Sequence, residues 1–272
     1  MRPISRLTVM LLVLVLTITS PLAVSAAAFE FTVTAKTAFD KMKAAADKTT
    51  AAKLTGQYTD LQSVQKQDIE WDTKINTLHY RNEESLLSTR KRIKEMDAEH
   101  LLKLESAAVQ TKKKYQSLFI FYDTLNQQLK KAKSKKDKTS ISLLNSQIEV
   151  TKAAVQLAKL DIKNKETAHK SAKTAAADKT KKLRALLADT DTIKVKIKAA
   201  KSSISSTKKQ FTTEATILNQ VVRKGDATAS HSSLIRLNAY MKQISEQKQK
   251  IYAFEQQITS IIAKTDAQIA SR

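Results

Sequence analysis

From Ile141 to Val221, apolar or small side chains recur in alternating steps of three and four residues, and the phase holds for 81 residues. Only a helix gathers such positions on one side, and an average step of 3.5 is the repeat by which long helices wind about one another. At 1.5 Å per residue the span predicts a helix of roughly 120 Å, natural for an elongated coiled coil. Its middle, Lys165 to Lys179, places polar or small residues in the seam, so packing is expected to be weakest there. Composition agrees with this reading. Among 272 residues there are 2 Gly, 2 Pro and no Cys, and both prolines, Pro3 and Pro21, lie near the N-terminus. Sheet folds rich in tight turns, disulfide scaffolds and thiolate metal sites are therefore poorly supplied.

The rest of the chain continues the theme. Phe29, Phe31 and Val33 alternate as a short extended segment would, docking aromatic rings on the body. Ala35 to Leu54 is rich in Ala and Lys and is expected to be a short helix that ends at Gly56. Tyr58, Leu61, Val64, Ile75, Leu78, Leu86, Ile93 and Met96 mark the next apolar stripe. Near His100 the register slips, then restarts at Leu101 and continues through Leu104, Ala108, Thr111, Tyr115, Leu118, Tyr122, Leu125 and Leu129. With no strong breaker between Gln57 and Lys133, the slip reads as a stutter inside one continuous helix. Lys133–Ser140 (KSKKDKTS) reads as a turn whose Thr and Ser cap the next helix, and Arg223–His231 (RKGDATASH) as the following turn. The last helix carries Leu237, Met241, Ile244, Ile251, Ile258, Ile262 and Ile269 on one stripe.

The expected organisation is all-α: an elongated antiparallel helical bundle or coiled coil. Residues 27–56 form an N-terminal extension with its short helix, and 57–272 the bundle, with helices at about 57–133, 140–222 and 231–270. Short turns make neighbouring helices antiparallel, giving a base of three or four helices and a two-helix arm. Ahead of this, Arg2 and Arg6 precede an apolar run from Leu7 to Ile18 and small residues ending at Ala26, the layout of a secretory signal peptide over 1–26. That run is too short to span a bilayer comfortably, so the chain is expected to be secreted and extracellular.

The formal net charge is +22, and residues 110–210 hold 25 basic against 8 acidic side chains. Around the expected arm tip lie Lys112, Lys113, Lys114, Lys130, Lys131, Lys133, Lys135, Lys136 and Lys138. A charge run is often just a solvated helix face. The functional reading is a basic arm that meets a polyanion, either an anionic membrane or a cell-wall polymer of bacterial cells. Lys far outnumbers Arg and aromatics are 5% of residues, which argues against specific reading of nucleic acid. Exposed heptads also leave an oligomer open.

Reaction chemistry is not signalled. His79, His100, His169 and His231 never fall at i, i+4 spacing, and no phosphate-binding glycine loop or nucleophile motif occurs. His100 and His169 lie near heptad seams and read as structural, Trp71 as a packing residue. No cofactor or metal is expected, and the chain is read as non-enzymatic. Leu183 to Ile204 would suit an amphipathic helix lying in lipid headgroups and fits a coiled-coil seam equally well, and the seam is the expected use.

Thr77–Leu87 (TLHYRNEESLL), Gln247–Ile258 (QKQKIYAFEQQI), the leader and the proline-free Lys/Ala/Thr-rich helices resemble secreted helical proteins of swarming, spore-forming bacteria. Within that group the chain is similar to the sibling lethal factor precursors. The resemblance implies a bacteriocin-like precursor, trimmed by a secreted protease and acting against related cells. Its turns, KSKKDKTS and RKGDATASH, are where nicking would concentrate.

Overall fold

The computed structural model describes residues 29–271, and the expected leader over 1–26 lies outside them. The chain is all-α: α1 Val33–Ala45, α2 Lys48–Glu95, α3 Ala98–Ser134, α4 Lys138–Arg223 and α5 Ala227–Ala270. No strand occurs among the described residues. The long seam is realised on α4. Every position of the 3,4 series from Ile141 to Val221 is buried or half-buried except Lys165, and nothing between Ala158 and Leu183 is fully buried. The slack middle thus falls where polar and small side chains occupy the seam.

Three boundaries differ from expectation. Gly56 does not end a helix: it sits exposed inside α2, and the break comes earlier, at Ala46 and Asp47. There Asp47 Oδ1 accepts from the backbone N–H of Thr49 (2.9 Å) and Thr50 (3.0 Å), satisfying donors that the first turn of α2 leaves open. The expected continuous helix over 57–133 is broken at Met96–Asp97, where Asp97 takes a left-handed φ of 63°. A slipped stripe can be rephased by unwinding or by stopping and restarting, and here the chain restarts. The last helix begins at Ala227, four residues before the expected 231.

The two tight turns share one construction. At the end of α3, Asp137 N–H bonds the carbonyl of Ala132 (3.1 Å) and Lys136 N–H that of Lys133 (3.2 Å), with Lys136 at φ 59°. After α4, Asp226 N–H bonds the carbonyl of Val221 (3.1 Å) and Gly225 N–H that of Val222 (3.0 Å), with Gly225 at φ 72°. This paired closure satisfies the last carbonyls of each helix. The aspartate then caps the next helix: Asp137 Oδ1 accepts from Ser140 N–H (3.1 Å), and Asp226 Oδ1 from Ala229 N–H (2.9 Å). Thr139 and Ser140, expected as caps, are inside α4, and Ser140 is a donor to the real cap.

The chain forms two compact units. The first contains α1, α2 to Asn76, α4 from Ala200 and α5 to Tyr252. Phe39, Leu54, Leu61, Leu218, Leu234, Leu237, Met241 and Ile244 form its buried core. Phe31 stacks on Phe39 (5.0 Å) and lies 5.1 Å from Tyr58, so the N-terminal rings do dock, whereas Val33 is exposed as the first residue of α1. Asn238 bonds Gln57 and Lys248 bonds Asp68, so α2 and α5 run parallel here. Arg236 meets Glu214 at 2.9 Å across the α4–α5 turn, which sets those two antiparallel.

The second unit contains α2 from Thr77, all of α3, α4 to Ala199 and α5 from Ala253. His79 and Asn82 bond Glu255, Thr259 bonds Asn82, and Thr89 and Arg92 bond Asp266, so α2 and α5 are parallel there too. Lys194 pairs with Glu83 at 2.7 Å, tying α4 to α2. From Ala98 onward the ties change. Tyr115 donates to Asp161 (3.0 Å) and Lys112 pairs with Glu166 (2.5 Å), both joining α3 to α4. Residue numbers rise on α3 as they fall on α4, as in an antiparallel hairpin, and this is the two-helix arm.

Candidate functional site

The nine lysines singled out above are all exposed and all belong to this hairpin. The structure brings six together. Lys130, Lys131 and Lys133 lie in the last turns of α3, Lys135 and Lys136 in the turn, and Lys138 at the first position of α4. Two physical effects hold them there. The C-terminal end of α3 presents carbonyl dipoles that favour nearby cations. The chain also reverses over only three residues, 135–137, which crowds both helix ends into one place. Lys136 occupies the left-handed position that Gly225 fills in the other turn, so a lysine stands where glycine would be easier.

Asp137 is the acid within this cluster. Hydrogen bonds from the Ser140 side chain (2.5 Å) and its backbone N–H hold the carboxyl below its ordinary value, with Lys135 contributing further. It is thus committed to capping α4, and the cluster stays strongly positive around it.

Lys112, Lys113 and Lys114 do not join the cluster. They lie about 30 Å back along α3 by helix rise. Lys112 is neutralised in part by Glu166, and the ammonium of Lys114 sits 4.9 Å over the ring of Tyr115. The tip patch is therefore Lys130, Lys131, Lys133, Lys135, Lys136 and Lys138. Sequence reasoning missed that Lys152 and Lys159 continue the basic surface. Both lie four residues beyond seam positions of α4, as Lys112 and Lys133 do on α3, so helical spacing could have found them.

Other polar clusters are structural. Lys248 is buried in the first unit, 2.6 Å from Asp68 and 2.7 Å from Asp72. Glu255 is buried in the second, with His79 at 2.8 Å. Trp71 packs at 5.7 Å from Tyr252 with Lys74 over its ring, consistent with a packing role. His169 is half-buried in the seam, but His100, expected beside a seam, is exposed. It lines an open recess of about 620 Å³ at the α2–α3 break, with Glu95, Asp97, Glu99, Lys103 and Lys179. Among the described residues no group of three or more His, Cys, Asp or Glu could hold a metal ion. No described helix is long and apolar enough to cross a membrane. Leu183, Leu187, Ile193, Ile197 and Ile204 are buried, so that stretch of α4 serves as a seam. Comparison with protein-family models, curated proteins and solved structures found no match.

Proposed function

We propose that this is an exported, non-enzymatic protein whose basic hairpin tip binds an anionic polymer or lipid surface of the bacterial envelope. The observation that carries the reading is the convergence of six exposed lysines on one three-residue turn. Lysines are compact point charges on flexible stems, suited to diffuse attraction by closely spaced phosphates rather than to shape-specific recognition. Such attraction weakens with salt, because the Debye length falls from about 10 Å at 0.1 M to about 3 Å at 1 M. The test is co-sedimentation of the purified chain with bacterial cell walls across a salt series. Binding at low salt that is lost at high salt, and lost when the six tip lysines become Gln, supports the reading. Binding indifferent to both changes refutes it.

A second reading, a bacteriocin-like precursor activated by proteolysis, draws on the seam of α4. Its buried apolar stripe from Leu183 to Ile204 is backed by exposed Lys181, Lys182, Lys196, Lys198 and Lys201. Cutting the exposed turns would release a helix with an apolar side and a basic side, the pattern of a lipid-surface peptide. Adding whole and protease-nicked protein to related cells separates the two: killing only after nicking favours the precursor, and salt-sensitive wall binding without killing favours the envelope-binding protein.

A further inference from the structure

A two-helix hairpin has one seam and two lateral flanks, and on this hairpin the flanks differ. Leu143, Val150 and Leu157 each lie two residues after a seam position of α4, repeat every seven residues, and are 61%, 75% and 68% exposed. Phe121, one residue before the seam's Tyr122 on α3, is 53% exposed. In an antiparallel pair these two offsets fall on the same flank. The pairs Tyr115–Asp161 and Lys112–Glu166 set the register, which puts Phe121 level with residues 156 and 157. Between Phe121 and Gln128 on α3, and Gln147 and Leu157 on α4, this flank is filled by Thr124, Gln128, Val150 and Ala154 and carries no charge; toward the tip, Lys131, two residues after the seam's Leu129, shares it with Leu143. Four residues beyond the seam positions, on the opposite flank, stand Lys112, Lys133, Lys152 and Lys159, and Lys138 lies two heptads before Lys152.

We propose that this largely uncharged flank is a dimer interface, and that a second copy of this chain packs its own hairpin there to make a four-helix bundle. Three observations choose this occupant. The exposed residues repeat with the period of the internal seam, which fits another helix. Within this stretch the basic groups other than Lys131 sit away from the flank. An anionic bilayer gripping the apolar side would find all of these lysines but Lys131 facing away, whereas an interfacial helix needs them beside its apolar face. In a dimer the same segregation holds the like charges of the two copies more than a helix diameter of about 10 Å apart, where salt screens them. The third is area. Four anchors at these exposures offer on the order of 100 Å² each. Two copies with the intervening Ala, Thr and Gln then approach the roughly 1,000 Å² expected of a specific contact. A two-fold interface is self-complementary, and for antiparallel α4 helices it places the axis at Val150, with Leu143 of each copy against Leu157 and Phe121 of the other.

This inference stands independently of the envelope-binding reading. The chain contains no Cys, so a Val150→Cys variant has a single thiol, which the axis would bring next to its symmetry mate. Under mild oxidation the full-length variant is expected to form a disulfide-linked dimer roughly tenfold faster or more than Lys159→Cys on the opposite flank, because a dimer raises the local thiol concentration. Sedimentation equilibrium of the unmodified chain should show a dimer that Leu157→Glu dissociates, with helicity checked by circular dichroism. Equal cross-linking at the two positions, or a monomer at all concentrations, overturns the proposal. So does shielding of the Val150→Cys thiol only when phosphatidylglycerol vesicles are added, which would assign the flank to lipid.

Discussion

At the scale of single residues, the turns show how a chain with two glycines bends. Gly225 takes its left-handed angle at little steric cost, while Lys136 takes nearly the same angle against the clash of its Cβ. Lys136→Gly is therefore expected to stabilise the hairpin by about 1 kcal/mol, and Gly225→Ala to destabilise the α4–α5 turn by about as much. Nothing lies within 4 Å of a Cβ built at Gly225, so the second effect is purely one of backbone angle. Denaturant melting of each variant checks both. Asp137 and Asp47 add a pH dependence. The side chain and backbone N–H of Thr50 lower the Asp47 carboxyl, as Ser140 lowers Asp137. A carboxyl whose folded value is depressed contributes stability that is fully present above its unfolded value, about 3.9, and is lost as pH falls through the folded value. Amide protection factors in the first turns of α2 and α4, which are corrected for the intrinsic pH dependence of exchange, should accordingly fall below about pH 4 and stay flat above it. The turns were legible from polar composition, but the capping role of Asp137 and Asp226 was not. A polar cluster offers several candidate oxygens, and backbone geometry decides which one faces the open N–H groups.

At the scale of elements, helix identity followed from periodicity, and helix ends depended on competition between neighbours. Gly56 is the plainest case. As a helix breaker it costs only about 1 kcal/mol relative to Ala, and α2 on both sides is anchored by Leu54 and Leu61, both fully buried. Packing overrides that penalty. Gly56→Ala should stabilise the protein by roughly 1 kcal/mol, since the site is exposed and has room for a Cβ. The α2–α3 break had a visible signal, the register slip near His100, but a slip is compatible with a bent helix or a broken one. Lys248 shows the reverse problem. It stands in a stretch, QKQK, that looks solvated, yet its ammonium is buried between Asp68 and Asp72 of α2. Lys248→Ala would leave buried Asp68 without its counter-ion and is expected to cost about 3–5 kcal/mol, measurable by thermal or urea unfolding. Nothing in the local sequence separates this lysine from its exposed neighbours, because its partners lie about 180 positions away.

At the scale of the whole molecule, burial is distributed unevenly. Between residues 98 and 182 the buried apolar side chains are Ala108, Leu125, Ala132, Ile148, Val155 and Ala158, several of them small. The parts of α2, α4 and α5 outside the hairpin bury larger ones, such as Leu86, Leu218, Leu237 and Met241. Native-state hydrogen exchange is therefore expected to protect the hairpin least, with the slack seam from Lys165 to Lys179 opening first and residues 234–262 of α5 last. Comparable protection throughout, at protein concentrations low enough to keep the chain monomeric, would refute this ordering. The sequence by itself determined that this protein is helical, where its apolar seams run and that its positive charge is concentrated between residues 110 and 210. Those properties follow from helical period and composition, which are local. Only the tertiary structure decided which lysines meet at one turn, which are buried or paired, where α2 gives way to α3, and which exposed leucines share a flank. Each of these depends on distant chain segments lying at one level, and neither spacing nor composition specifies that alignment.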